Sequence, residues 1–200
     1  MKGDQSLSAP AHPRWLALPL VGDVDGAAAA HVESLIGGEA SPAFIAATTA
    51  MVVECSGIVR RQAEAFRRGD VLTQFAWMLL PEPNLLLAGP IATLYARWLP
   101  PTDSQDDSIA AACDLHVERE GEVVLSFLET ASGPALHVRY RPVLPIGGER
   151  VVAEHRVVLW PRHDDYMTLE LSFFSLATGQ DERRGDPLFE LARSIEWVVE

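Results

Sequence analysis

The sequence predicts an α+β protein in which a largely antiparallel β-sheet is packed by helices. Hydrophobic residues make up 48% of the 200 residues, which is enough to bury the core of one domain without disulfide staples. Residues 109–176 form short alternating segments separated by turn residues, as expected for an antiparallel meander. The first half and the end of the chain instead carry apolar residues at helical spacing.

The first elements are a lead-in, a strand and a helix. Residues 1–13 are polar and proline-containing and are predicted to be disordered, so that residues 14–200 form the single domain. Residues 14–21 predict a short strand. Residues 23–36 predict a helix, which is capped by Asp23 or Asp25 and stopped at Gly37.

A longer helix is predicted over residues 42–68, with Ser41 as its cap and Pro42 at its first position. Its apolar face predicts packing across a sheet, and Cys55 on that face is expected to act as a small buried hydrophobe. The residues that share the face are Phe44, Ala47, Met51, Cys55, Ile58, Val59, Gln62 and Phe66.

Two paired strands are predicted next, over residues 71–80 and 85–98, followed by a flexible acidic loop at 100–108. The meander is predicted to use residues 109–119, 122–130, 135–144, 150–160 and 166–176. A final helix begins at Asp186 and Pro187. Its predicted apolar stripe, expected to pack on the sheet, consists of Leu188, Leu191, Ala192, Ile195, Val198 and Val199.

The end of the chain resembles that of the PsbP-like fold group, which includes DcrB-like and LpqN-like bacterial proteins and a Ran-binding nuclear import factor. The resemblance lies in the aromatic-rich strand at residues 166–173 and the helix at 188–197, and the strand and helix at 15–36 are similar to that group's opening. It implies an α/β/α sandwich that binds or assembles without catalysis of its own. This chain shows no lipobox cysteine like that of the secreted members, and its long helix is larger than theirs.

Composition narrows the function classes. A formal net charge of −12 disfavours nucleic-acid binding, which needs a basic footprint. Two isolated cysteines fit a reducing cytoplasm, and the absence of an uninterrupted apolar run of about 18 residues predicts no membrane insertion. Lys2 is the single lysine among 16 basic residues, a bias typical of actinobacterial-like genomic composition.

Alternation along the meander predicts a charged stripe on one face of the sheet. We expect it to be open to solvent and opposite the face packed by the terminal helix. A solvated face with compensated charges and a partner-binding surface both fit this pattern. The candidate partner-binding residues are His137, Arg139, Arg141, Glu154, Arg156 and Glu170.

Signals for catalysis, metal binding and cofactor binding are weak. His116 and His137 accompany no recognisable nucleophile pattern, and the adjacent acidic residues and histidine at 161–165 fit a hairpin turn better than a metal site. No catalytic residue, metal or cofactor is therefore predicted.

The leading hypothesis is a non-enzymatic, cytoplasmic protein-binding or adaptor module that uses an open sheet face or acidic loops. The alternative is a small-molecule-binding or hydrolytic domain with an apolar pocket between the long helix and the sheet, lined by Phe44, Met51, Trp77 and Tyr95. A homodimer joined through edge strands is a third option.

Overall fold

The fold is α+β, as the sequence predicts, with three helices among the residues that the structure describes. The computed structural model describes residues 5–8, 11–38, 40–66, 71–80, 89–98, 118–162, 167–175 and 186–199. The helices are α1 (Val24–Ile36), α2 (Pro42–Phe66) and α3 (Pro187–Ser194). The strands are β1 (Gln5–Ser8), β2 (Trp15–Ala17), β3 (Val71–Leu79), β4 (Ile91–Trp98), β5 (Arg119–Thr130), β6 (Gly133–Ile146), β7 (Glu149–Val152), β8 (Glu154–Arg162), β9 (Met167–Ser175) and β10 (Glu196–Val199).

Eight strands form one antiparallel sheet. Seven of them follow the spatial order β2-β3-β4-β9-β8-β6-β5, and β7 pairs with the far end of β6. The second half of the chain is therefore the predicted meander, which starts at the outer strand β5 and returns inward until β9 pairs with β4. The predicted strand at 150–160 is divided at Ala153 into β7 and β8. Most of the predicted strand at 109–119 lies outside the described residues.

The helices lie on both faces of the sheet, which gives an α/β/α layering. α1 and α2 cover one face at the β2–β3 end, where Leu16, Ala76 and Met78 pack against Val32, Val52 and Val59. α3 covers the other face, where Leu188, Leu191 and Ile195 join a core that runs from Trp15 to Leu128. Below, the α2 face and the α3 face denote these two sides of the sheet.

All three predicted helix caps form in the structure. Asp23 accepts a hydrogen bond from the backbone N–H of Gly26 at 3.1 Å, and Ser41 accepts one from Phe44 at 3.2 Å. Asp186 accepts from the backbone N–H groups of both Leu188 and Phe189. Each cap satisfies donors that would otherwise be left without partners in the first turn.

The prediction for the last helix is wrong beyond Ser194. Ile195 is extended, with φ −78° and ψ 124°, and the chain continues as β10, which pairs with β1. Residues 195–199 are rich in β-branched and aromatic side chains, whose preference for strands exceeds their helical periodicity. Within the segment 1–13, for which the sequence predicts disorder, Gln5–Ser8 thus forms a strand.

α2 is more apolar over its length than the interrupted apolar runs of the sequence indicate. Residues 42–65 are long and apolar enough to cross a membrane by length and composition alone, and 28% of their most apolar window is buried within the protein. The buried residues of this helix include Thr48, Val52, Cys55 and Val59, which form its sheet-facing side.

Candidate functional site

Four residues of the predicted charged stripe form a partly buried cluster beneath the start of α3. Its members, termed the charged cluster below, are His137, Arg139, Glu154 and Arg156. Glu154 and His137 are buried, and the side chain of His137 is only 4% exposed. The His137 ring packs edge-on against Phe189 of α3, with ring centroids 4.6 Å apart.

Ion pairs compensate the charges of this cluster. Arg139 donates from Nε and Nη2 to Oε2 of Glu154 at 3.2 and 2.9 Å. Arg156 forms an ion pair with Asp186, the cap of α3, and its guanidinium lies 5.2 Å from the centroid of the Phe189 ring. Because buried charges are costly without partners, this pairing explains why the cluster is tolerated under a helix.

His137 is neutral in this environment. Burial, followed by the positive charges of Arg156 and Arg139, lowers the pKa of His137 to about 4. Its Nε2 accepts from Nε of Arg156 at 3.4 Å, so the ring proton lies on Nδ1, which is 3.1 Å from the hydroxyl oxygen of Ser126. The imidazole therefore acts as a hydrogen-bonding link between β8 and β5.

The expected orientation of the stripe is wrong, because α3 packs on the same face of the sheet as the charged cluster. Glu170 does not belong to this face at all. Arg156 lies opposite Phe173 in the β8–β9 register, so the odd-numbered residues of β9 share its face, while Glu170 lies opposite Leu159 on the α2 face. Alternation within one strand cannot fix this parity between strands. Arg141, by contrast, stays on the α3 face and is half-buried.

A second polar group lies on the α2 face and has no counterpart in the predictions. His155 joins two side chains in a hydrogen-bonded chain: Nδ1 lies 2.6 Å from the Tyr140 hydroxyl oxygen, and Nε2 lies 2.7 Å from the Ser172 hydroxyl oxygen. Tyr140 is buried, whereas His155 and Ser172 are half-buried. Residue spacing gives no sign of this chain, since its members come from three different strands.

The Tyr140–His155–Ser172 chain has part of the geometry of a nucleophilic site. In the tautomer with the proton on Nδ1, Ser172 donates to Nε2 and Tyr140 accepts from Nδ1, as a serine, its base and an orienting group would. A tetrahedral oxyanion also needs donors. β9 is paired on both sides, by β4 and β8, so its backbone N–H groups are engaged in the sheet. These groups therefore do not supply the donors that an oxyanion needs.

The outer strand β5 exposes apolar side chains. Phe127 is 83% exposed and Leu125 55% on the α2 face, and Val124 is 53% exposed on the α3 face. β5 pairs with β6 on one side, and no other described strand pairs with it. Its register is regular from Val124 to Thr130 and irregular between Glu120 and Val124. The β5 edge denotes residues 124–130 and the side of this strand that faces away from β6.

Of the four residues proposed to line an apolar pocket between α2 and the sheet, Trp77 lies on the opposite face of the sheet. Trp77 lies opposite Ala92 and Ala17 and is buried on the α3 face, whereas Met78 faces α2. Cys55 is buried as expected, with Sγ 3.8 Å from Sδ of Met78, and burial raises the pKa of its thiol. Within the described ranges, no cluster of three or more histidine, cysteine or acidic residues is arranged to hold a metal ion.

Comparison with known proteins adds no relative. No family model matches the chain, and neither the curated proteins nor the solved structures contain a match. The resemblance to the PsbP-like group therefore stays a prediction.

Proposed function

We propose that this protein is a non-enzymatic protein-binding domain that contacts its partner through the β5 edge. The observation that carries the proposal is the 83% exposure of Phe127, beside the exposed Leu125, on a sheet edge that no described strand covers. Exposed apolar edge strands are templates for pairing with another chain. The proposal keeps the predicted function class but moves the binding surface away from the charged cluster.

The apolar surface of the edge continues a buried cluster. Phe127 lies opposite Leu136, and Leu125 lies opposite Val138. Both of these β6 residues belong to a buried apolar group on the α2 face, together with Tyr140, Val157 and Leu159. The hydrophobic surface thus runs outward from the core to the edge and ends in solvent, as expected where a second polypeptide completes it.

The remaining residues of β5 restrict which partners fit. Glu120 and Glu122 are exposed in the irregular part of the strand, and Glu129 is exposed near its other end. These carboxylates flank the apolar centre and disfavour pairing with acidic strands. A partner strand must therefore be apolar at its centre and free of acidic residues opposite these positions.

Photo-crosslinking in cells tests the proposal. A photoreactive phenylalanine analogue is placed at Phe127 and, as the matched control, at Val21, which is 82% exposed at the other end of the sheet. We expect a protein adduct from position 127 and none from position 21. With the analogue kept at position 127, Leu125→Glu should abolish the adduct, whereas Val21→Glu should leave it unchanged. Equal labelling at both sites, or none at 127, contradicts the proposal.

A second candidate function, ester hydrolysis, is favoured by the Tyr140–His155–Ser172 chain. Ser172 would attack the carbonyl carbon while His155 accepts its proton, and the alcohol would leave with that proton. A water molecule, deprotonated by His155, would then attack the acyl-serine and release the carboxylic acid, and the proton would return to the Ser172 oxygen. It ranks second because β9 leaves no backbone donors for the oxyanion. Labelling by a fluorophosphonate probe tests it: labelling abolished by Ser172→Ala and retained by Ser126→Ala would favour hydrolysis, and an unlabelled wild-type protein would exclude a serine nucleophile of this kind.

A further inference from the structure

We infer that the partner of the β5 edge is a second copy of this chain, paired antiparallel across a two-fold axis at Ser126. This inference rests on the proposed function and names its partner. The two sheets would join into one continuous antiparallel sheet through β5 of each copy. Residues 124–128 are self-complementary when the strand is placed antiparallel against itself.

Symmetry restricts the registers to test. In an antiparallel pair of identical strands, opposed residues must have the same parity, because their backbone groups must both point outward. The axis therefore passes through a residue. With the axis at Ser126, Leu125 lies opposite the second copy's Phe127, and the reverse contact repeats it. Leu125 and Phe127 of both copies then share one face, the α2 face, where these side chains are exposed in the single chain.

The other face is matched in the same register. Val124, which is 53% exposed, lies opposite Leu128 of the second copy on the α3 face. Glu129 lies opposite Val123, and Glu122 lies opposite Thr130, so no two carboxylates face each other directly. The central contacts use residues 124–128, which belong to the regular part of β5.

Neighbouring registers lose the pairing of Leu125 with Phe127. An axis at Phe127 places Glu129 opposite Leu125, and an axis at Leu125 places Glu122 opposite Leu128. An axis at Val124 removes the contact between Leu125 and Phe127 and runs the pairing through the irregular segment after Glu120. Cross-strand apolar pairs stabilise a sheet, whereas a carboxylate opposite an apolar side chain does not. The Ser126 axis has one such mismatch, Glu129 opposite Val123 at the irregular end of the strand, whereas the axes at Phe127 and Leu125 place a carboxylate opposite Leu125 or Leu128. Ser126 is therefore the axis that the sequence of β5 selects.

Sedimentation of the full chain tests the oligomeric state. We expect a concentration-dependent dimer whose dissociation constant rises at least about tenfold in Phe127→Glu and in Leu125→Glu, because each variant removes two symmetric apolar contacts. Val21→Glu adds the same charge at a side chain that is as exposed as Phe127 in the wild-type protein, and it should leave the dissociation constant unchanged. A chain that is monomeric up to several hundred micromolar, or a dimer that both β5 variants preserve, overturns the inference.

A disulfide tests the register. Opposed Cα atoms in an antiparallel pair are about 4.5–5.5 Å apart, which is within the range that a disulfide bridges. In a background with Cys113→Ser, Ser126→Cys should therefore form a covalent dimer on mild oxidation, and Phe127→Glu should suppress it. Ser34→Cys, at an exposed position of α1, is the control. Cross-linking that is no faster at 126 than at 34 overturns the register.

The two levels of the proposal fail in different ways. An adduct at position 127 with the mass of two copies, together with the covalent dimer at 126, supports both. An adduct with a different protein from a chain that sediments as a monomer overturns the homodimer and leaves protein binding in place. The absence of any adduct at 127 overturns the function itself.

Salt provides an independent readout. Each copy has a formal net charge of −12, so long-range repulsion opposes the dimer at low ionic strength. Because apolar contacts hold the pair, screening should lower its dissociation constant as sodium chloride rises from about 0.02 to 0.3 M. A dissociation constant that rises with salt would identify ion pairs as the driving force and contradict this interface.

Discussion

The two edges of the sheet end in opposite ways. At one edge β2 has three residues, and Trp15 and Leu16 are almost completely buried because helices cover both of their faces. Trp15 donates from Nε1 to the backbone oxygen of Pro187, and Arg14 forms an ion pair with Glu190, so α3 is fastened to this edge. At the other edge β5 has twelve residues and leaves Phe127 and Leu125 in solvent.

This contrast shows that apolar content alone does not distinguish a core strand from a binding strand. Both edge strands carry large hydrophobic side chains, but helices cover both faces of β2, whereas α3 covers β5 only on the α3 face, at Leu128, and the described helices leave Leu125 and Phe127 exposed on the α2 face. The difference lies in the cover, which is set by where the helices cross the sheet. Variants at the two edges should therefore differ in kind, with losses of stability at β2 and losses of association at β5.

The largest effect is expected from Leu16→Ala at the covered edge. Leu16 is among the fully buried large side chains, so the free energy of unfolding should fall by about 3 kcal/mol. Leu125→Ala removes the same atoms at the open edge and should cost less than about 1 kcal/mol in the monomer. Denaturant titration at a concentration where the chain is monomeric measures both. Equal losses would break the comparison.

The next effect concerns α3, the helix that covers the α3 face of β2. Asp186→Ala removes a cap of α3 and the ion pair with Arg156, and we expect a loss of about 2–3 kcal/mol. Asp23→Ala is the matched control, because Asp23 caps α1 from an exposed position and should cost about 1 kcal/mol. Thermal and denaturant unfolding compare the two variants. A smaller loss for Asp186→Ala would show that the charged cluster does not hold α3.

The pH dependence of stability follows from His137. Its folded pKa of about 4 lies below the ordinary value of 6.5, so the unfolded chain binds the proton first as pH falls. The stability linked to this group is complete above pH 6.5 and is lost between 6.5 and 4, by about 3 kcal/mol at about 1.4 kcal/mol per pKa unit. His137→Gln should flatten the pH profile in this window. A pH profile of His137→Gln identical to that of the wild-type protein would refute the assignment.

The smallest effect on stability is expected at Phe127. Phe127→Ser should change the free energy of unfolding of the monomer by less than about 0.5 kcal/mol, because an exposed side chain loses little on truncation. The same variant should abolish adducts at the β5 edge. Chemical unfolding at low protein concentration gives the first quantity. A loss above about 1.5 kcal/mol would mean that Phe127 packs within its own chain.

Much of this fold can be predicted because it depends on local patterns. The caps at Asp23, Ser41 and Asp186 and the order of the meander follow from residue types and turns. The site could not be predicted in the same way. Whether Glu170 shares a face with Arg156 depends on the register between β8 and β9, and the burial of His137 depends on where α3 crosses the sheet. These are tertiary facts that alternation within a strand does not encode.

The short pairing of β1 with β10 has a consequence for how the chain can be rearranged. Gln5 lies opposite Val199 in the β1–β10 pair, so two residues that are far apart in the sequence are adjacent in space. A brief glycine-rich linker could join the two strands, and new ends could be opened at Gly147 and Gly148, an exposed turn with positive φ at both residues. Such a circular permutant would carry its ends on the β6–β7 hairpin, whose residues 145–150 are exposed.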